Sequence, residues 1–545
     1  MIGPAAFGPG DPADGSSERG CPRVRALACL SVLLAACASR EPTAAPSTVS
    51  ISLLEPATLV SLDTIESEGL AVLRAINTPI ASFDAETGEL DGGMAASVTS
   101  DDGTTWTIEL AEGWTFHDGT PVTAQLVADT WDAGAYGPNA HATQGAFAEI
   151  AGFDAVAAGE AQHLSGVEVT GDGTLEVTLS APAAYWAQKL STPAYGPLPP
   201  AWFDDPEAFA DAPVGTGPFR MDGTWEHDEA ITLTAWDAWP GDRPDGAVDG
   251  VEFRIYADPD TATTDLLAGE LDLANGMTPA GVARVREQLG EEHVVLTPLT
   301  SATYLAFPTD EPAWSDPRLR AALSMTVDRE QLTTELFDGT RAPLHDVLPP
   351  ALPGARDEVC DHWGFDPEAA RALLDEAGGV PDPLTIWFNA GGGQEDWIEA
   401  VSNMWRQHLG VEEVVFESLQ PAEYMPLIVQ GEIDWPFRFG WAMDYAHPQN
   451  YLEPLLASWA TLDAGGANVA AWADDDYDAA LEEALVTIAM DEAIPAYQRA
   501  VDVACDQVPM VPVFTDTAVV GIGDGVDGVE VDPTGTIEVL ELRAR

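Results

Sequence analysis

The stretch DPEAARALLDEAGGVPDPLTIWFNAGGGQEDWIEAVSNMWRQHLG, residues 366–410, sets the fold class. Asp366 suits a helix N-cap and Pro367 the first helical position, so a helix is expected from Asp366 to Ala377, ending at Gly378-Gly379. Leu384 to Phe388 is a short apolar run and reads as a buried strand. It feeds a glycine-rich loop, Gly391-Gly392-Gly393. Trp397 to Leu409 is amphipathic with helical spacing and is closed by Gly410. Helix, strand and helix in close succession describe an α/β domain.

The same signals extend outward. Texture changes near Ser301, and Asp316-Pro317 opens a helix read through Asp328. Upstream, Trp106 to Leu110 and Leu175 to Leu179 alternate with period two, as do Ile231 to Ala235 and Val251 to Tyr256. His117-Asp118-Gly119-Thr120-Pro121 is a turn, followed by a helix from Thr123 to Asp132 with Thr123 as its N-cap. Val511-Pro512-Val513-Phe514 returns to strand character. The body shows neither an internal repeat nor a low-complexity linker.

A chain of 545 residues holds about three domain-sized cores at ~150 residues each. Hydrophobic residues make up 46%, which is globular composition. There are 91 Asp and Glu against 22 Lys and Arg, a formal charge of −69. Such a surface repels phosphate backbones and anionic lipid heads, so no nucleic-acid partner is expected. Charge of this size speaks to solubility rather than to fold.

Arg19, Arg23 and Arg25 precede an apolar run from Ala26 to Leu34, then Ala35, Ala36 and Cys37. This is the layout of a secretory signal, and the run is too short to span a bilayer. Residues 1 to about 20 match no standard signal head and are read as the product of a start codon placed too far upstream. Leu34-Ala35-Ala36-Cys37 resembles the bacterial lipobox, which implies a lipoprotein signal peptide at 1–36, a lipid on Cys37 and a tether at 37–48. Cys360 and Cys505 are the cysteines of the folded body, and an oxidising compartment suggests one disulfide between them. Neither has a metal-ligand neighbour pattern, so no metal and no cofactor are expected.

Five segments, in order, resemble family 5 of the extracellular solute-binding proteins, the peptide and nickel receptors of ABC importers. They are Leu62-Asp63, with Thr64 where the family has proline; Trp106 through Phe116-His117-Asp118-Gly119-Thr120-Pro121; and Gly215-Thr216-Gly217-Pro218-Phe219. Asp316-Pro317-Arg318-Leu319-Arg320 through Asp328-Arg329, and Gly440-Trp441 through Asp444-Tyr445 with Pro448 and Asn450, complete the set. The resemblance implies a bilobed periplasmic-binding-protein-like α/β fold, type II and cluster C, with ligand enclosed between lobes. It places the first lobe at 49–300, with 81–198 as an extra subdomain, the second at 301–514, and a return to the first at 515–545. Crossings between lobes are expected near Ser301–Pro308 and Pro512–Asp516. It also implies a monomeric receptor, lipid-anchored at the extracellular face of the cytoplasmic membrane, that hands a peptide or other small solute to permease subunits.

The resemblance assigns Asp444 to the ligand's α-ammonium, as a buried carboxylate in need of a cation. Arg438 stands where a relative's arginine meets the ligand carboxylate, a task that suits a guanidinium fork. Gly440, Trp441 and Tyr445 would line the cleft, with core packing an equal reading for the two aromatics. Glu68-Gly69-Leu70 matches a segment that runs along the peptide backbone, where main-chain hydrogen bonds give affinity. A zwitterionic ligand follows from Asp444 and Arg438 together. An oligosaccharide, an opine-like compound or a nickel chelate keeps the fold with another ligand; the nickel reading rests on His447 alone. A secreted hydrolase would need a nucleophile elbow or a His-Glu-x-x-His helix, and neither motif occurs.

Overall fold

The computed structural model describes residues 47–84, 87, 89–391, 393–462 and 466–545. The signal peptide, Cys37 and the tether as far as residue 46 lie outside the described residues. Within residues 366–410 the elements fall where their sequence puts them. The Asp366 carboxylate accepts from the amides of Glu368 and Ala369 and caps the helix Pro367–Ala377, and Gly378 ends it in the left-handed conformation. The helix Gln394–Leu409 buries Trp397, Ile398, Val401 and Trp405 as one stripe. It links two parallel strands, Leu384–Asn389 and Val414–Leu419, in a crossover unit.

Those strands belong to an eleven-stranded sheet that runs through the molecule. In chain order its members are β1 (Thr48–Leu53), β2 (Phe219–Met221), β3 (Ala230–Ala235), β4 (Gly250–Ile255), β5 (Leu273–Asn275), β6 (Val294–Ala306), β7 (Arg341–Pro343), β8 (Leu384–Asn389), β9 (Val414–Leu419), β10 (Phe437–Trp441) and β11 (Met510–Ile522). Their order across the sheet is β9-β8-β10-β6-β11-β5-β1-β4-β3-β2, with β7 pairing β11 separately. The two longest strands, β6 and β11, lie antiparallel at the centre of the sheet. Their ladder runs from Val294↔Gly521 to Pro298↔Thr517, breaks, and resumes from Ala302↔Thr515 to Ala306↔Met510. In the break the Thr300 amide donates to the Pro533 carbonyl, and the Tyr451 hydroxyl donates to the Thr300 carbonyl.

Three of the recurrent motifs are structural locks. His117, in the turn before Pro121, donates its backbone N–H to Gly215 O at 2.9 Å, while its Nδ1 accepts from the Gly215 amide at 3.2 Å and its Nε2 faces Gly217 O at 3.1 Å. Burial lowers the His117 pKa to about 4, which fits a neutral ring that accepts at one nitrogen and donates at the other. A Cβ at Gly215 would stand 1.9 Å from Ile76 O, so only glycine lets this segment approach the end of the helix Ser67–Ile76. Arg320 and Arg329, both fully buried, donate to backbone carbonyls at the start of β11: Arg320 Nε to Val508 O at 2.9 Å, Arg329 Nε to Pro512 O at 2.7 Å. The single helix expected from 317 to Asp328 is two, Pro317–Ser324 and Arg329–Phe337, because Asp328 caps the second by accepting from the Gln331 amide.

The apolar core is divided. One cluster fills the strands β1 to β4 with Leu73, Ile76, Val520 and Leu542. A larger one runs from Trp106, Trp131 and Trp186 in the 81–198 segment into Trp314, Trp397, Trp405 and Phe514. The 81–198 segment therefore packs its core against residues of the second half while His117 ties it to Gly215. A disulfide joins Cys360 and Cys505, whose Cα atoms lie 6.3 Å apart, and closes a span of 145 residues.

Candidate functional site

Strand β10 sets the site. Phe437 and Phe439 point into the core (2% and 6% exposed), so Arg438 and Gly440 point to the other face. Gly440 provides a bed for the arginine: a Cβ there would stand 2.8 Å from Arg438 Nη2 and 3.2 Å from Cζ. Arg438 Nη1 donates to Asn389 Oδ1 at a long 3.4 Å, and its Nε is buried with no hydrogen-bond partner. Burial lowers the Arg438 pKa; Tyr424 and Asp516 pull it up and Arg341 pushes it down. The Tyr424 hydroxyl holds the strand by donating to Arg438 O at 2.6 Å.

Past the strand, the loop is folded by Asn450. Its Oδ1 accepts from the Asp444 amide at 3.0 Å, its Nδ2 donates to Asp444 Oδ2 at 3.3 Å, and its carbonyl accepts from Trp441 Nε1 at 2.8 Å. Asp444 is exposed, not buried as expected, so its carboxylate is a wet one that meets a neutral amide and no cation among the described residues. Trp441 is half-buried beside it. Tyr445 is 6% exposed and is a packing residue, its ring parallel to that of Tyr185 with centroids 6.4 Å apart. Lys189 Nζ lies 5.8 Å over the Tyr445 ring. His447 sits between Tyr185 and Tyr497, and its Nδ1 accepts from the Gln449 amide at 3.1 Å. Burial lowers its pKa to about 3. Among the described residues no three His, Cys, Asp or Glu side chains gather closely enough to share a metal ion.

Glu68 and Leu70 lie in the first turn of the helix Ser67–Ile76, and the Leu70 amide donates within the helix to Glu66 O. Glu66 forces this by accepting the Gly69 amide as an N-cap. Glu68 instead borders a cavity of about 140 Å³ with Ser52, Tyr256, Asn275 and Thr536. The structure thus groups Arg438, Gly440, Trp441 and Asp444 on one strand and its loop, with Glu68 and Leu70 apart on the helix Ser67–Ile76. It adds two residues that no motif marked, Arg341 on β7 and Asp516 on β11, paired through Arg341 Nε and Asp516 Oδ1 at 3.2 Å.

A bilobed α/β frame on two central strands, with unlike charges on one strand and its loop, defines a solute receptor. The chain belongs to the bacterial extracellular solute-binding proteins, family 5, whose profile matches residues 89–462. It is 26% identical over 521 residues to the periplasmic oligopeptide-binding protein OppA of Escherichia coli strain K12, covering 90% of this chain and 93% of that one. It is 25% identical to the dipeptide-binding protein of the same organism, covering 84% and 86%. Among solved structures, the unliganded open form of the murein tripeptide-binding protein MppA superposes with a TM-score of 0.81 at 22% identity, covering 92% and 97%. DppA of Helicobacter pylori in complex with the peptide STSA gives 0.69 at 21% identity, covering 92% and 98%.

Proposed function

We propose that this protein is the substrate-binding component of an ABC importer, that it captures peptides between its lobes, and that it delivers them to a membrane permease. The observation that carries the reading is a pair of opposite charges without ionic hydrogen-bond partners among the described residues: Arg438 has no carboxylate hydrogen-bonded to it, and Asp444 has no cation. A zwitterion neutralises both with charge-assisted hydrogen bonds, whereas a neutral sugar can hydrogen-bond them but neutralises neither. The names of the relatives, oligopeptide- and dipeptide-binding proteins, point the same way. Asp444 takes the α-ammonium, Arg438 the carboxylate, Gly440 leaves room for the guanidinium, and Trp441 flanks the ligand.

In this reading the lobes are 49–300 with 515–545, and 301–514, and they swing about the break in the β6–β11 ladder. Ligand contacts made only when the lobes meet shift the population toward the closed form. A lipid on Cys37 would hold a monomer at the membrane face. The protein performs no chemistry on its ligand in this account. Native mass spectrometry of residues 38–545, purified gently from a bacterial host, tests it. A ladder of peptide masses, lost in Asp444→Ala, is expected; a single non-peptide mass would replace the ligand, and a peptide ladder unchanged in Asp444→Ala would remove the end clamp.

A further inference from the structure

Arg341 stands opposite Asp516 in the short β7–β11 ladder. Its guanidinium is held between two aromatic faces, with Cζ 4.3 Å from the Phe337 ring centre and 4.5 Å from that of Phe514. Stacking on rings fixes the plane of the fork and leaves its N–H edges to find acceptors. Its Nε pairs with Asp516 Oδ1 at 3.2 Å, and its Nη1 is buried without a hydrogen-bond partner among the described residues. The other Asp516 oxygen, Oδ2, already accepts from the Ser301 hydroxyl at 3.0 Å.

Arg438 lies beside Gly440, where a Cβ would also stand 3.5 Å from Ala302 O, and Ala302 pairs with Thr515, the residue before Asp516. The charge of Asp516 acts on both guanidinium groups, and that of Arg341 acts on Arg438. Two positive charges therefore face one carboxylate, and each fork keeps a buried N–H with no acceptor, Arg341 Nη1 and Arg438 Nε. The shortage is not for want of acid in a chain with 91 carboxylate residues and 22 basic ones. Arg356 also has a buried Nε with no partner among the described residues, but its Nη2 meets Asp502 Oδ1 at 2.7 Å; Arg320 and Arg329 donate from all three guanidinium nitrogens, and Arg74, Arg254 and Arg499 each meet a carboxylate. The cluster is open to solvent on the Asp516 side, whose carboxylate is 44% exposed, at the break in the β6–β11 ladder.

We propose that Arg341 is a second ligand-binding cation, and that it and Arg438 together grip one carboxylate of the ligand, with Asp516 as the fixed counter-ion that holds Arg341 in place. One added carboxylate brings two guanidinium groups and one aspartate to neutrality; two would overshoot. Arg341 lies on β7, which pairs only with β11, and Arg438 lies on β10, which pairs with β6, so a shared carboxylate ties both central strands to the ligand.

The inference rests on the peptide reading, and the test separates the two. Wild type, Arg341→Gln and Arg341→Lys, each as residues 38–545, are offered a pool of di- and tripeptides and the same pool amidated at the C-terminus. Retained masses are counted by native mass spectrometry, and melting temperatures check folding. Wild type is expected to retain free acids roughly tenfold or more over amides, because a charged fork on a carboxylate loses its partner in the amide. Arg341→Gln is expected to lose most of that preference while holding amides as wild type does, and Arg341→Lys, which keeps charge but not the fork, to fall between. Free acids retained equally by wild type and Arg341→Gln, or acids and amides lost alike, would overturn the role of Arg341 and leave the peptide reading standing. A wild type that takes neither pool would overturn the peptide reading and this inference with it.

Discussion

A side chain at position 440 would begin 2.8 Å from Arg438 Nη2, so Gly440→Val is expected to lift the guanidinium from its bed. Peptide affinity should then fall about tenfold or more, the loss expected when a charge-assisted pair is misplaced, with little change in melting temperature. Calorimetric titration with a retained peptide checks this; unchanged affinity would mean that Arg438 does not touch the ligand. His447 makes a pH prediction. Its pKa is about 3 in the fold against 6.5 when free, so the unfolded chain binds the extra proton first. The stabilisation is whole above pH 6.5 and is lost as pH falls toward 3, by an amount on the order of a few kcal/mol. Melting curves of wild type and His447→Gln should converge as pH drops from 7 to 4, and parallel curves would refute it. Arg438, Gly440 and Asp444 were legible because they sit in a recognisable run of sequence. Arg341 was not: it follows the turn Asp338-Gly339-Thr340 on a three-residue strand, too short for periodicity to reveal, and its importance lies in partners 175 residues away at Asp516.

At the scale of elements, the helix 367–377, with a capping residue and a glycine stop, could be read almost to the residue, whereas 394–409, without a side-chain cap, was read from Trp397 and only its glycine stop was placed. Local chemistry decides those ends. The helix at 317 was read too long because Asp328 was taken as its tail, whereas Asp328 begins the next helix. Glu68-Gly69-Leu70 was matched to a segment that runs along a peptide backbone, and a three-residue match carries no information about the Glu66 cap that starts a helix there. The motif from Asp316 to Arg329 turns out to brace β11, so Arg329→Met should strand the carbonyls of Pro512 and Val327 and lose the bond to Ser324 Oγ. The expected cost is about 3 kcal/mol in urea unfolding, from buried acceptors left unpaired. A cost under about 0.5 kcal/mol would show that Arg329 is an ordinary surface-like residue.

At the scale of the molecule, the sequence showed alternating elements and a change of texture near Ser301, but not that β6 and β11 run side by side through the sheet. That pairing joins residues more than 200 positions apart, such as Ala302 and Thr515, and only the folded chain displays it. The same ladder carries the proposed account of function, in which the lobes bend at its break. The direct measurement is the distance between spin labels on the exposed positions Asp228→Cys, in the hairpin of β2 and β3, and Glu482→Cys, on the helix Asp475–Leu485. It should be taken with and without a saturating pool of short peptides. The account predicts a shift to a shorter, narrower distance distribution that Asp444→Ala abolishes at the same peptide concentration. Peptides bound at full occupancy with the distance unchanged would contradict it.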